Sequence, residues 1–196
     1  MDIESNHIDQ LIKGCCKMDQ KSCYRLYNLF KNSLFSICLR YGKDRSVAED
    51  WLQEAFISIF RNIKSYDPDK GSFYTWASRV VINTILMYKR KQKIKFFGEE
   101  NILPMDVKVE PKIVSSIQYQ DLIEKLKELP DGFRTVFNLY EIEGLSHKEI
   151  SQKLNISLST SKTQLMRAKL ALRKKIEHEE SMILSQHVST KIGQSL

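Results

Sequence analysis

The stretch GLSHKEISQKLNISLSTSKTQLMRAK, residues 144–169, decides the reading of the fold. Ser146-His147-Lys148-Glu149 has the spacing of a capping box, in which a Ser and the Glu three residues on satisfy each other's helix-start amides. The helix it opens should run to Leu154. Asn155 follows where the chain must turn, and Asn tolerates left-handed backbone better than most non-glycine residues. Ile156 then points inward, and Ser157 can cap a second helix. Two helices, a three- or four-residue corner and an apolar pin make a helix-turn-helix. The second helix of such a pair lies in a DNA major groove, with its early residues towards base edges.

The inner face of that second helix is expected at Leu158, Ser161, Leu165, Ala168 and Leu172. The outer face then offers Ser159, Thr160, Lys162, Thr163, Gln164 and Arg167. From Lys162 to Lys175 there are six Lys or Arg and no acid. Hydroxyls and lysines suit phosphates, while Gln and Arg also read bases. Ser161 is the odd residue of the inner face, because an aliphatic side chain would pack better there. Its hydroxyl is expected either to bond a carbonyl one turn back or to leave the helix less firmly packed.

The rest of the chain agrees with a helical protein. It has 196 residues, is 42% hydrophobic, and holds only seven Gly and four Pro, which favours long helices over turns. The formal net charge is +7, and a balance of that sign favours a polyanionic partner without naming one. Residues 96–118, FFGEENILPMDVKVEPKIVSSIQ, carry four acids against two Lys, with Gly98, Pro104 and Pro111 and no helical period. The expected organisation is therefore a first helical domain at 1–95, a flexible linker at 96–116, a second helical domain at 117–177 and a polar tail at 178–196 without an assigned role. The fold class is all-α, with two small domains and a C-terminal helix-turn-helix.

Cys15, Cys16, Cys23 and Cys38 form no CxxC, and no His stands at a zinc-finger spacing, so they read as small hydrophobes in a reducing compartment and not as a metal site. The opening MDIESNHIDQ is acidic and polar, unlike a secretory signal, and no apolar run is long enough to span a bilayer. A cytoplasmic protein is the expectation.

Apolar stripes in the first domain fall at Ile8, Leu11, Ile12, Cys15; at Cys23, Tyr27, Phe30, Leu34, Ile37, Cys38, Tyr41; and at Ala48, Leu52, Ala55, Phe56, Ile59, Phe60, Ile63. A fourth helix should start near Phe73, capped by Ser72, and reach Lys93. Arg79, Lys89, Arg90, Lys91, Lys93 and Lys95 lie on it or just beyond, interleaved with Phe73, Tyr74, Trp76 and Tyr88. Cations beside aromatic faces suit unpaired bases, which stack while the backbone is neutralised. A core role for Trp76 is an equal rival at this point. The third helix instead presents an acidic, amide-bearing surface at Glu49, Asp50, Gln53 and Glu54.

Three segments together, AEDWLQEAFISIFRNI, FYTWASRVVINTILMYKRKQK and LPDGFRTVFNLYEIEGLSHKEISQKLNISLSTSKTQLMRAKLALRK, resemble the extracytoplasmic-function (ECF) group of bacterial RNA polymerase sigma factors. The resemblance covers about residues 8–95 and 117–176 in the right order. It implies two helical domains, the family's regions 2 and 4, and no enzymatic activity, catalytic residue, cofactor, metal or small-molecule substrate. It implies that Asp50, Gln53 and Glu54 meet the clamp helices of core RNA polymerase. It assigns Trp76, Arg79, Asn83, Lys89 and Arg90 to a melted −10 promoter element, with loop 65–72 near an unstacked base. It assigns Ser159, Thr160, Lys162, Thr163, Gln164 and Arg167 to the double-stranded −35 element. It also implies an anti-sigma factor as a partner. This chain departs from the family's common Gly, Val and Arg with Asn155, Ser161 and Gln164. The competing reading is a two-domain helix-turn-helix regulator that binds an operator; a response-regulator first half would alternate strands and helices, and this one does not. No nucleophile–base set, glycine-rich phosphate loop or metal cluster supports an enzyme.

Overall fold

The computed structural model describes residues 3–91 and 119–193, and among them there are helices and turns but no strand. The segment expected to be a linker lies outside the described residues. The chain divides into two compact units, Met1–Ile94 and Lys95–Leu196.

The first unit consists of α1 (Ile3–Cys16), α2 (Gln20–Tyr41), α3 (Arg45–Asn62), two single 3-10 turns (Ile63–Ser65 and Pro68–Lys70) and α4 (Phe73–Lys91). Helices α1, α3 and α4 all pack on α2, and α3 packs on α4. The corner between α1 and α2 is tight. Asp19 caps α2 by accepting from the Ser22 amide at 2.9 Å. A Cβ on Gly14 would stand 2.2 Å from Ser22 Oγ, so only glycine allows α1 to come this close. The core holds Leu26, Leu34, Ile37, Cys38, Tyr41, Ala48, Ala55, Ile59, Ala77, Val81 and Ile85, each essentially closed to solvent. The stripes expected on α2 and α3 supply most of it.

The core-facing ridge of α4 is Phe73, Ala77, Val81, Ile85 and Lys89, one residue every four. Such i±4 rows are what one helix presses into the groove of another. Trp76 and Val80 lie beside that ridge and are only half-buried.

The second unit consists of α5 (Tyr119–Lys127), α6 (Asp131–Phe137) running into a π turn (Asn138–Ile142), α7 (His147–Leu154) and α8 (Leu158–Gly193). Helices α5, α6 and α7 each pack on α8. Arg134 is buried at the α5–α6 corner, where its guanidinium donates to the Lys127 carbonyl at 2.8 Å and to Asp131 Oδ1 at 2.6 Å. Helix α8 continues to Gly193, through the stretch that sequence composition sets apart as a polar tail.

Candidate polymerase and nucleic-acid interfaces

Helices α2 and α3 leave a groove of about 740 Å³ between them. Tyr27, Phe35, Phe56 and Phe60 give it an aromatic floor, with the Tyr27 and Phe56 rings 4.6 Å apart. Asp50 and Gln53 stand exposed on its α3 rim. Ile57 is 47% exposed at the same rim, and Leu29 is 51% exposed on α2. Apolar side chains left in water beside an acidic rim are the makings of a docking surface for another protein's basic, apolar helix. Glu54 is exposed too, but it does not line this groove.

Glu54 lines a second groove, of about 560 Å³, between α3 and α4. Its other walls include Arg61, Asn62, Trp76, Asn83, Met87 and Arg90. Trp76 is held from behind. Tyr66, from the loop between the 3-10 turns, packs against Trp76 at 5.8 Å and against Phe73 at 5.5 Å. The Tyr66 hydroxyl donates to the Gly71 carbonyl at 3.1 Å, which closes loop 65–72 on itself. Asp67 stiffens the same loop: it accepts from the Asp69 amide and pairs with Lys70 at 2.8 Å, and these bonds hold its carboxyl below the usual range. Trp76 is thus part support and part surface, with one side in the aromatic cluster and another in the groove.

Of the five residues the resemblance assigns to the melted strand, the structure brings three into this groove: Trp76, Asn83 and Arg90. Arg79 is exposed on α4 without lining it. Lys89 is a correction. It is 2% exposed, with its ammonium 5.3 Å from the centre of the Trp51 ring. As the last residue of the core-facing ridge, it belongs to the α3–α4 packing and cannot present its charge to a nucleic acid. Sequence reasoning missed Arg61, Asn62 and Met87. The signal was available on α3, where Glu54, Ser58, Arg61 and Asn62 recur at helical spacing beside an otherwise apolar stripe.

In the second unit the corner forms as its residues dictate. Ser146 Oγ accepts from the Glu149 amide, and the Glu149 carboxylate accepts from the Ser146 amide at 2.8 Å, a complete capping box. Asn155 takes the left-handed conformation with φ 55°. Ser157 Oγ accepts from the Thr160 amide at 2.9 Å and caps α8.

On α8, Ser161, Leu165, Ala168 and Leu172 face inward as expected, but Leu158 is 45% exposed. Ser159 and Lys162 are exposed, and Thr160, Thr163 and Arg167 are half-buried. Gln164 is the second correction: it is fully buried and not on the outer face. At about 100° per residue it falls about 70° from the middle of the arc those four residues make, at its edge, while Leu158 begins the helix with no turn before it. The Ser161 hydroxyl does not bond back along its own helix. It meets Nδ1 of His147 at 2.9 Å, across the corner.

Among the described residues no three His, Cys, Asp or Glu stand together as a metal site, and no helix is long and apolar enough to cross a membrane.

Comparison with known proteins places both units. The sigma-70 region 2 family matches residues 26–94, and the sigma-70 region 4 family matches residues 119–172. The ECF RNA polymerase sigma factor SigW of Bacillus subtilis is 32% identical over 186 residues, covering 86% of this chain and 96% of that one. SigM of the same organism, also an ECF RNA polymerase sigma factor, is 31% identical over 153 residues, covering 76% and 91%. A solved structure of the sigma factor RpoE with the anti-sigma factor NepR from Bartonella quintana aligns with a TM-score of 0.47 at 18% identity, covering 79% of this chain and 96% of that one.

Proposed function

Since this chain belongs to the ECF RNA polymerase sigma factors of the sigma-70 family, we propose that it binds core RNA polymerase, directs it to promoters with two separated elements and helps open the DNA at the downstream one. Core polymerase docks on the α2–α3 groove, against Asp50 and Gln53. The outer edge of α8, with exposed Ser159 and Lys162 and half-buried Arg167, meets the duplex at the −35 element. The protein contributes binding energy and no bond-making chemistry of its own.

The α3–α4 groove supports this reading most. Separating a base pair costs about 1.4 kcal/mol per stacking step. A base stacked on an aromatic side chain recovers about 1–3 kcal/mol. One base captured against Trp76 therefore offsets about one step. Arg61 and Arg90 along the same groove neutralise the strand that carries it.

The test is transcription in vitro from a pool of genomic promoter fragments, with purified protein and bacterial core polymerase. Core-dependent start sites sharing two elements about two helical turns apart are expected. Sequence-specific duplex binding by the protein alone, with no core-dependent initiation, would replace this reading with an operator-binding regulator. An anti-sigma factor that covers the same exposed apolar side chains, Leu29 and Ile57, completes the proposal. Pull-down from unstressed cells should recover it; recovery of polymerase alone would remove it.

A further inference from the structure

His147 joins three separate pieces of the second unit. It is the first residue of α7. Its ring lies flat on Tyr140 of the π turn, with centroids 4.5 Å apart and planes 25° from parallel. Its Nδ1 stands 2.9 Å from the hydroxyl of Ser161, a fully buried residue of α8. Of the other inward residues of that helix, Leu165, Ala168 and Leu172 are apolar and Gln164 is polar. Apolar contacts are non-directional and let a helix slide or roll by small amounts. A hydrogen bond between closed-in groups is directional and weakens steeply when the angle opens. The contact between His147 and Ser161 is therefore direction-setting, and it ties the start of α8 to α7.

We propose that His147 is the positioning residue of the −35 reading helix: braced on Tyr140, it holds Ser161 through Nδ1 and so fixes the angle at which α8 presents Ser159, Lys162 and Arg167 to duplex DNA. This rests on the reading of α8 as the helix that meets the upstream promoter element. The charge state follows from the surroundings. Burial, with Lys162 and Lys169 nearby, holds the pKa of His147 below its ordinary value, so the ring is neutral at physiological pH. Lys169 is paired with Glu141 at 2.7 Å, and Lys148 and Glu149 follow His147 on its own helix. A neutral ring makes this contact in either tautomer, accepting from the Ser161 hydroxyl or donating to it. A rolled reading helix would still meet phosphates but would lose register with base edges. The signature is therefore a loss of discrimination rather than a loss of binding.

The experiment uses holoenzyme assembled from core polymerase and full-length protein. It compares initiation from a promoter found in the pool with initiation from the same promoter carrying a scrambled upstream element. His147→Phe keeps the ring on Tyr140 and removes Nδ1. Ser161→Ala keeps His147 and removes the hydroxyl. Each should cut the ratio of intact to scrambled promoter at least fivefold with core affinity unchanged, and the double variant should lose no more than either alone. His147→Asn, whose side-chain amide can stand near the place of Nδ1 and accept or donate there, should restore part of the ratio. A wild-type ratio in both single variants would overturn the inference, as would equal losses on intact and scrambled promoters, which mark simple unfolding. Wild-type holoenzyme that ignores the scrambled element would overturn the −35 reading itself, and the inference with it.

Discussion

Among single residues, the cysteines show most directly how surroundings set chemistry. Burial pushes the Cys38 thiol up to about 12. Burial does the same to Cys15, with a hydrogen bond to Cys23 adding to it. The thiolate is the reacting form, so both should be inert at pH 8. Native protein treated with iodoacetamide at that pH is expected to label Cys16 and Cys23, which are half-buried, and to label Cys15 and Cys38 only after denaturant is added. Rapid native labelling of Cys38, read by peptide mass, would contradict the packing of α2. Gln164 gives a second residue-scale outcome. Gln164→Ala should cost roughly 2 kcal/mol in urea unfolding, as truncation of a buried side chain does, and leave upstream-element discrimination at the wild-type ratio. A large loss of discrimination in that folded variant would restore Gln164 to the reading face. The same residue marks the limit of the sequence. Periodicity gives which residues share a face, but an arc one residue wider or narrower moves its edge positions from solvent to core. Gln164 and Leu158 sit at those edges; Lys89 differs, since it lies within the buried arc of α4 at the helix's last turn, where its charge masks its place in the stripe.

Individual elements were legible where their signals are local. The capping box needs two residues three apart, and the corner needs one residue that accepts positive φ; both can be read without knowing what packs on α7. Ser146→Ala should therefore cost about 1 kcal/mol. The cost should also depend on acid. Bonds from Ser146 hold the Glu149 carboxyl below its ordinary 4.5, so the stability it contributes is present above that value and lost as pH falls below it. The gap between wild type and Ser146→Ala in urea midpoint should shrink between pH 6 and pH 3; a constant gap would mean that Glu149 is not held by Ser146. Asn155→Ala should cost about 1 kcal/mol through left-handed strain, with Asn155→Gly neutral or slightly stabilising. Other elements depend on distant partners and were not legible. Loop 65–72 reads as turn-rich sequence, yet its order comes from Tyr66 packing on Phe73 and Trp76. The π turn is closed by the Glu143 amide donating to the Asn138 carbonyl at 3.0 Å, a spacing with no composition signal. Beyond residue 178, α8 runs through sequence with no sustained apolar stripe, so periodicity could not foresee it.

At the scale of the whole molecule, each unit has its own buried core, so surface changes on one should leave the other folded. This separation lets the polymerase assignment be tested cleanly. Asp50 and Glu54 are both exposed on α3, and neither contributes to the core. Reversing both to Lys should abolish core binding, because like-charge juxtaposition at an interface costs several kcal/mol. That is more than about a hundredfold in Kd. Helical content and the melting of both units should stay as in wild type. The two positions should then separate in the single variants, because they face different grooves. Asp50→Lys changes the rim of the α2–α3 groove and should account for most of the lost core affinity. Glu54→Lys instead adds a cation to the groove that already holds Arg61 and Arg90. It should tighten non-specific binding of single-stranded DNA and steepen its salt dependence by about 0.7 in logarithmic slope, the contribution of one added phosphate contact. Titration of each variant against core polymerase, and against an oligothymidine at several salt concentrations, separates the two faces. Normal core affinity in Asp50→Lys would remove the α2–α3 groove as the docking face. Unchanged strand binding in Glu54→Lys would remove the α3–α4 groove as the path of the melted strand.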